Sequence, residues 1–230
     1  MTHKKEKTIN GYNHLLYEQE SFSKDVMIKK SEDFYHLLDS RRSIREFSDQ
    51  VVPKAVIENI IMAASTAPSG AHKQPWTFCA VSNKEIKKKI RIAAEAEEKE
   101  TYEHRMSDRW KSDLAALAVD MNKPFLETAP WLIIACKRAY EYNEDGTKHN
   151  NYYVNESTGI ACGMLITAIH NAGLVTLTHT PSPMKFLTKI LNRPENERVF
   201  LLLPVGYAKE PTYVPDLKRK GLDQISEFYE

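Results

Sequence analysis

Residues 131–136, Trp-Leu-Ile-Ile-Ala-Cys, form an apolar run with no polar interruption. A strand with one wet face alternates apolar and polar side chains, so a run that does not alternate must be covered on both faces. Residues 199–207, Val-Phe-Leu-Leu-Leu-Pro-Val-Gly-Tyr, have the same character. Two such strands need helices on either side, and the chain supplies them. Val56, Ile57, Ile60, Ile61 and Ala64 recur at helical spacing behind Pro53, which suits a first helical position. Residues 154–171 carry Ile160, Ala161, Met164, Leu165, Ala168 and Ile169, with Gly173 as a stop. Residues 76–81 and 174–178 read as further strands and 184–191 as a short helix. Interleaved helices and strands without repeats predict the α+β or the α/β class.

Outside that frame the pattern weakens. Residues 1–30 are mixed and polar and read as an N-terminal arm, leaving 31–230 as a single domain. Ser31-Glu32-Asp33 is the expected cap of a short helix through Leu38. Residues 84–117 read as helical but strongly charged, with Glu95, Glu97, Glu98 and Glu100 grouped. Amphipathicity is weak around 102–122, and a helix polar nearly all round covers something it does not pack against permanently. A mobile lid over about 95–123 is the expectation, against a plain solvent-facing helix. Residues 140–151 read as a loop turning at Asp145-Gly146. Residues 207–230, charged and proline-punctuated, read as an extended C-terminal arm. Gly159 and Gly163, one turn apart, suit either close packing against a second subunit or a simple core helix.

Composition narrows the function. In 230 residues, 32 Lys and Arg balance 31 Asp and Glu, and that excludes the broad basic face of a nucleic-acid binder. Cys79, Cys136 and Cys162 lie far apart in apolar runs without C-x-x-C spacing, which reads as buried, reduced thiols and a cytoplasmic protein. Eight scattered histidines give no metal-ligand set. The basic start has no apolar segment behind it, and no run of about 20 apolar residues follows anywhere, so neither a signal peptide nor a membrane span is expected.

Against that neutral background stands Arg41-Arg42-Ser43-Ile44-Arg45, three guanidiniums within five residues. Guanidinium forks pair bidentately with phosphate oxygens, and Ser43 adds a donor. The alternative is a solvated basic turn. Downstream, Ala67-Pro68-Ser69-Gly70-Ala71-His72-Lys73-Gln74-Pro75-Trp76 is a small-residue loop ahead of a strand. A phosphate clamp followed by a close-approach loop is what a nucleotide-like cofactor needs.

The arginine cluster, the loop from Thr66 to His72 with Pro75-Trp76, and Leu203-Pro204-Val205-Gly206-Tyr207 resemble the FMN-dependent nitroreductase superfamily. Within it, Glu98 with Tyr102, Arg105-Met106 with Arg109-Trp110, Lys123 ahead of Thr128-Ala129-Pro130, and Val214-Pro215-Asp216-Leu217-Lys218-Arg219-Lys220 resemble the iodotyrosine deiodinases of the soluble, bacterial type. The resemblance covers roughly residues 33–225. It implies the α+β class, with a central mixed sheet flanked by helices, in an interlocked homodimer with FMN at each subunit interface and a wrapping C-terminal arm. It assigns Arg41, Arg42, Ser43, Ile44, Arg45 and Arg219 to the FMN phosphate end, Ser69 and Gly70 to the ring and ribityl chain, and Thr178, His179 and Thr180 to the ring edge. Thr180 is the implied catalytic residue, its hydroxyl offered to flavin N5. His179 departs from the threonine that the resemblance leads one to expect there.

The implied reaction is reductive removal of iodide from mono- or diiodotyrosine. Its zwitterionic end needs one anion and one cation: Glu98 for the ammonium, Lys123 for the carboxylate, with Tyr102 one helical turn after Glu98 adding a hydroxyl. The Ala71 N–H would meet the phenolate. Electrons would come from NAD(P)H, directly or through a reductase. Two alternatives stay open: a general FMN-dependent nitroreductase or quinone reductase, in which Glu98, Tyr102 and Lys123 are ordinary surface residues, and a flavin-binding protein without turnover.

Overall fold

The computed structural model describes residues 5–230, and the chain divides into two compact units between Ser40 and Arg41. In the first unit, β1 (Glu6–Ile9) and β2 (Tyr12–Leu15) form an antiparallel hairpin, followed by α1 (Lys24–Asp39). The hairpin turns at Asn10-Gly11, both with positive φ, which is the favoured two-residue solution. Helix α1 starts seven residues before the expected Ser31. Ser23 is the cap, accepting from the Val26 N–H, and Asp25 sits in the first turn. Ser31 is a mid-helix residue that donates to the Ile28 carbonyl. Lys29–Asp33 and His36–Glu32 pairs carry the helix through polar sequence.

In the second unit, α2 (Lys54–Ser65) buries Ile57, Ile60 and Ala64, and β3 (Trp76–Val81) follows. The expected long charged helix is broken. Helix α3 (Lys84–Glu100) runs into a wide π-type turn, Thr101–Arg105, and Ser107 caps a separate helix, α4 (Asp108–Ala115). A short α5 (Phe125–Thr128) leads into β4 (Trp131–Arg138). The expected 140–151 loop is a second hairpin, β5 (Tyr140–Tyr142) and β6 (Lys148–Asn150), with Gly146 at φ +81. Then come α6 (Val154–Asn171), β7 (Val175–Thr176), α7 (Lys185–Ile190) and β8 (Glu197–Gly206).

The central sheet has the order β3-β4-β8-β7 with antiparallel ladders, and its parallel component is the bridge between Ser43 and Thr176. The runs that fail to alternate are the two inner strands: residues 132–136 of β4 and Leu202, Leu203 and Val205 of β8 are fully buried. Alternate residues of β4 feed two core layers. Leu132, Ile134 and Cys136 pack with α3, α5 and α7, while Ile133 and Ala135 pack with α2 and α6. Cys79 is half-buried, whereas Cys136 and Cys162 are buried, and all three are free thiols. Among the described residues no helix is long and apolar enough to cross a membrane, and no cluster of His, Cys, Asp or Glu could hold a metal ion.

Candidate active site

The bridge that completes the sheet also places the arginines. The Ile44 N–H donates to the Thr176 carbonyl at 3.1 Å, which stitches the 41–45 segment along β7. The Ile44 side chain turns into the core, so it contributes anchoring rather than a cavity wall. Arg41, Arg42, Ser43 and Arg45 then line a recess of about 200 Å³ whose other wall is Leu117 with Val214, Pro215, Leu217, Lys218 and Arg219. Arg42 donates to the Pro215 carbonyl, and Arg219 donates to the Arg41 carbonyl at 2.9 Å. These bonds fold the 214–219 segment back onto the cluster. Burial, and then the like charges of Arg219 and Arg42, push the Arg41 pKa down. A recess that crowds guanidiniums until they repel is a receptor for an anion.

Arg45 also lines a second cavity of about 470 Å³, so the two spaces meet at its side chain. This larger cavity is bounded by the α3 C-terminus, the 101–106 turn, α4, the 118–125 segment and residues 177–182. The buried stripe of α3, Lys87, Ile90 and Ala94, continues four residues on to Glu98 and then to Tyr102. That periodicity delivers a carboxylate and a phenol into the cavity. Lys87 itself donates to the Glu127 and Ala129 carbonyls at 2.8 and 2.7 Å, fixing α5 and the start of β4 against α3.

Lys123 stands just before α5. Its backbone N–H donates to Glu95 at 2.7 Å, its ammonium bonds the Asp120 carbonyl, and it lies 3.5 Å from Glu98. Burial raises the Glu98 pKa, and the Lys123 charge opposes the rise. Tyr102 donates to the Val119 carbonyl at 3.2 Å, and burial raises its pKa too. The sequence reading missed Glu95 and Asp120, which set the place of Lys123. It also missed the i, i+4, i+8 spacing of Met106, Trp110 and Leu114, which turns an apolar edge of the 106–114 segment toward the cavity.

On the opposite wall, Thr178 and Thr180 are exposed and His179 between them is buried. His179 exchanges backbone hydrogen bonds with Leu202 of β8, at 2.8 and 3.2 Å. Its ring stands edge-on to Phe125, with centroids 5.6 Å apart. Burial, reinforced by Lys123, pushes its pKa down to about 3, so the imidazole is neutral. Its buried Nε2 has no partner among the described residues.

Ser69, Gly70 and Ala71 line neither cavity. Their loop is held elsewhere: Gly70 N–H donates to Ser157 and Gln74 N–H to the Ser69 hydroxyl. Within the chain, Gly70 answers a need for space. A Cβ there would stand 2.8 Å from the Tyr153 ring and 3.0 Å from the Tyr152 carbonyl oxygen. Ala71, His72 and Gln74 all adopt positive φ, a concentration of strain that persists where surrounding structure over-determines it.

A sequence profile of the Nitroreductase family matches residues 38–207. The chain belongs to the nitroreductase family. Within it, the chain is 60% identical over 213 residues to the iodotyrosine deiodinase of Haliscomenobacter hydrossis, covering 93% of this chain and 96% of that protein. It is 46% identical over 215 residues to human iodotyrosine deiodinase 1, covering 92% of this chain and 74% of the human one. A crystal structure of oxidized iodotyrosine deiodinase bound to FMN and 3-iodo-L-tyrosine superposes with a TM-score of 0.74 at 28% identity, covering 86% of this chain and 99% of that one. A Bacteroides fragilis nitroreductase crystallised with FMN shares the fold at 18% identity, with a TM-score of 0.62 over 86% of this family member and 99% of its own chain.

Proposed function

We propose that this nitroreductase-family enzyme is an FMN-dependent reductive dehalogenase that removes iodide from mono- and diiodotyrosine to give tyrosine. The observation that carries this reading is the pair between the half-buried Glu98 and the buried Lys123 within a cavity that joins an arginine-lined recess. A nitroaromatic or quinone substrate offers nothing to such a pair. An amino acid offers an ammonium to Glu98 and a carboxylate to Lys123, so binding would exchange one internal ion pair for two across the interface.

The residues present fit FMN. The recess supplies Arg41, Arg42, Lys218 and Arg219 for the phosphate, with Ser43 as a further donor, and Arg45 marks its junction with a space wide enough for a ring system. Bound and reduced, FMN supplies the two electrons that, with one proton, convert the carbon–iodine bond to carbon–hydrogen and release iodide. The chain's own part is positional. Thr178 and Thr180 present hydroxyls that make no hydrogen bond among the described residues, and we assign Thr180 the catalytic contact at the ring edge. Met106, Trp110 and Leu114 would cover the ring of the substrate and exclude water. The Ala71 N–H also makes no hydrogen bond among the described residues, which leaves it available to a phenolate.

We further assign the protein to a homodimer in which residues 69–71 of one subunit complete the cavity of the other. Supporting this are a loop that reaches neither cavity of its own chain and an α6 face on which Ile160 and Gly163 are exposed. The 207–230 segment, with Tyr213, Leu222, Ile225 and Phe228 exposed, suits the wrapping arm. NAD(P)H, directly or through a reductase, is the proposed electron source, and the cytoplasm the proposed location. The deciding experiment is dithionite-driven turnover of diiodotyrosine by purified FMN-loaded protein, quantifying iodide and tyrosine. Stoichiometric release of both is expected. FMN-dependent reduction of nitroaromatics without deiodination would overturn the reading.

A further inference from the structure

We propose that Arg105 is a positioning residue that couples the lid to the segment carrying Thr180, an assignment that rests on the deiodinase reading above. Arg105 ends the wide turn after α3, and its side chain lines no cavity wall. Its Nη1 donates to the Ser182 carbonyl at 3.1 Å and to the Glu97 carboxylate at 3.3 Å, and Nη2 lies 3.9 Å from Glu100. Glu97 is the chain neighbour of Glu98, and Ser182 follows Thr180 across the buried Pro181. One guanidinium therefore spans the cavity mouth from the ammonium-binding side to the ring-edge side.

The segment around Thr180 is held at two points. His179 is bonded to Leu202 on one side, and Ser182 is bonded to Arg105 on the other. Thr180 lies between them and is itself exposed, so without the second tie its hydroxyl would be held only from the His179 side and by the buried Pro181. The first tie belongs to the sheet and is rigid. The second belongs to the segment expected to act as the lid and would move with it. Any motion that brings Glu98 and Tyr102 onto a substrate must therefore pull on Ser182. A planar, pre-organised guanidinium holds the carboxylate and the carbonyl in a fixed geometry, which a flexible lysine ammonium would reproduce only in part.

The test compares FMN-loaded wild type, Arg105→Ala and Arg105→Lys by hydrogen exchange of peptides covering 98–106 and 178–184, with and without 3-iodotyrosine, alongside steady-state deiodination. With no ligand, Arg105→Ala should speed exchange in both peptides, while a β4 peptide stays unchanged as the fold control. With 3-iodotyrosine, wild type should protect both peptides, and Arg105→Ala should protect only 98–106. Its kcat should fall about fivefold with KM changed less, the scale of an exposed ion pair, and Arg105→Lys should recover only part of it. Unchanged exchange of 178–184 in unliganded Arg105→Ala would overturn the coupling. If wild type neither binds nor turns over iodotyrosine, the deiodinase reading falls instead, and the unliganded comparison still decides whether Arg105 ties the two segments.

Discussion

The Glu98 carboxylate and the Lys123 ammonium stand 3.5 Å apart with side-chain exposures of 15% and 8%, so each is the other's main source of charge compensation. Removing one partner leaves the second buried and unbalanced, at a cost of roughly 2–5 kcal/mol when it must also bind a charged group. Glu98→Gln and Lys123→Ala should weaken iodotyrosine binding tens- to thousands-fold with FMN retained. Lys123→Ala should do more, because it also removes the charge that opposes the burial-driven rise of the Glu98 pKa. In wild type, affinity should fall as acid protonates Glu98, and Glu98→Gln should lose that dependence. Flavin-fluorescence quenching by iodotyrosine and by 2-iodophenol, side by side, checks this. Equal losses for the phenol, which has no zwitterion, would mean that the substitutions disturb the lid rather than a charge clamp.

The arginine recess makes a separate prediction. Arg41 and Arg219 touch one another through the Arg41 carbonyl and crowd a third guanidinium. An anion bound in the recess would relieve their charge repulsion. Charge-assisted bonds are worth about 1.5–3 kcal/mol each, so Arg41→Ala or Arg219→Ala should purify pale and flavin-poor. Removing a like charge should leave the fold intact. Flavin content from the visible spectrum and far-ultraviolet circular dichroism are the two readouts, and full occupancy in both variants would move the phosphate elsewhere.

Thr180 carries the chemical step in this scheme while adding little to binding. Thr180→Ala should slow dithionite-driven deiodination about a hundredfold, the lower end of the usual scale for a positioned hydrogen-bond donor, and leave flavin content and iodotyrosine affinity near wild type. Undiminished turnover would take the hydroxyl out of the mechanism.

What the sequence disclosed depended on burial. Residues 131–136 and 199–207 could be read as inner strands because both faces are covered, and α2 and α6 because their apolar residues keep a 3.6-residue period. The β1–β2 hairpin escaped notice because every residue in it is exposed and no alternation marks it, although Asn10-Gly11 was signal enough. The break at 101–107 escaped because Glu, Lys and Arg favour helix on both sides of it, and only Ser107 announces a new start. In the site, Glu98, Tyr102 and Lys123 were legible through resemblance and helical spacing. Glu95 and Asp120 were not, since a residue that positions another by a backbone bond leaves no pattern in composition. The reason for Gly70 lay far along the chain at Tyr152 and Tyr153, beyond any local reading.

His179 sets a limit on acid tolerance. Its pKa falls from 6.5 in the unfolded chain to about 3 in the folded one, chiefly through burial. Because the folded pKa is depressed, the full stability is present above 6.5 and is lost as pH drops toward 3, where the unfolded chain gains a proton that the native one refuses. At pH 4.5 the loss from this residue is about 2–3 kcal/mol. Urea unfolding of wild type and His179→Thr at pH 7 and 4.5 should show the variant losing less between the two. Equal losses would mean that the ring finds a proton acceptor in the native state.

The proposed sharing of each site between two subunits can be tested by complementation. Lys123 belongs to the cavity, whereas Gly70 sits in a loop that lines neither cavity of its own chain. A Cβ at Gly70 would press on the Tyr152 carbonyl oxygen, a backbone atom that cannot swing away, so Gly70→Ala should displace the 69–71 loop and abolish turnover. Lys123→Ala should nearly abolish it at subsaturating iodotyrosine by losing the substrate carboxylate. If each site takes its cavity from one subunit and its loop from the other, a dimer built from one chain of each kind has one doubly defective site and one intact site. Refolding the two inactive variants together in equal amounts makes about half of the dimers mixed. The mixture should therefore regain about a quarter of wild-type deiodination, with the activity running at dimer mass in sedimentation. A site contained within one chain would give mixed dimers with a defect in each site and no recovery. Iodide release from the co-refolded mixture, measured against each variant refolded alone, separates the two arrangements.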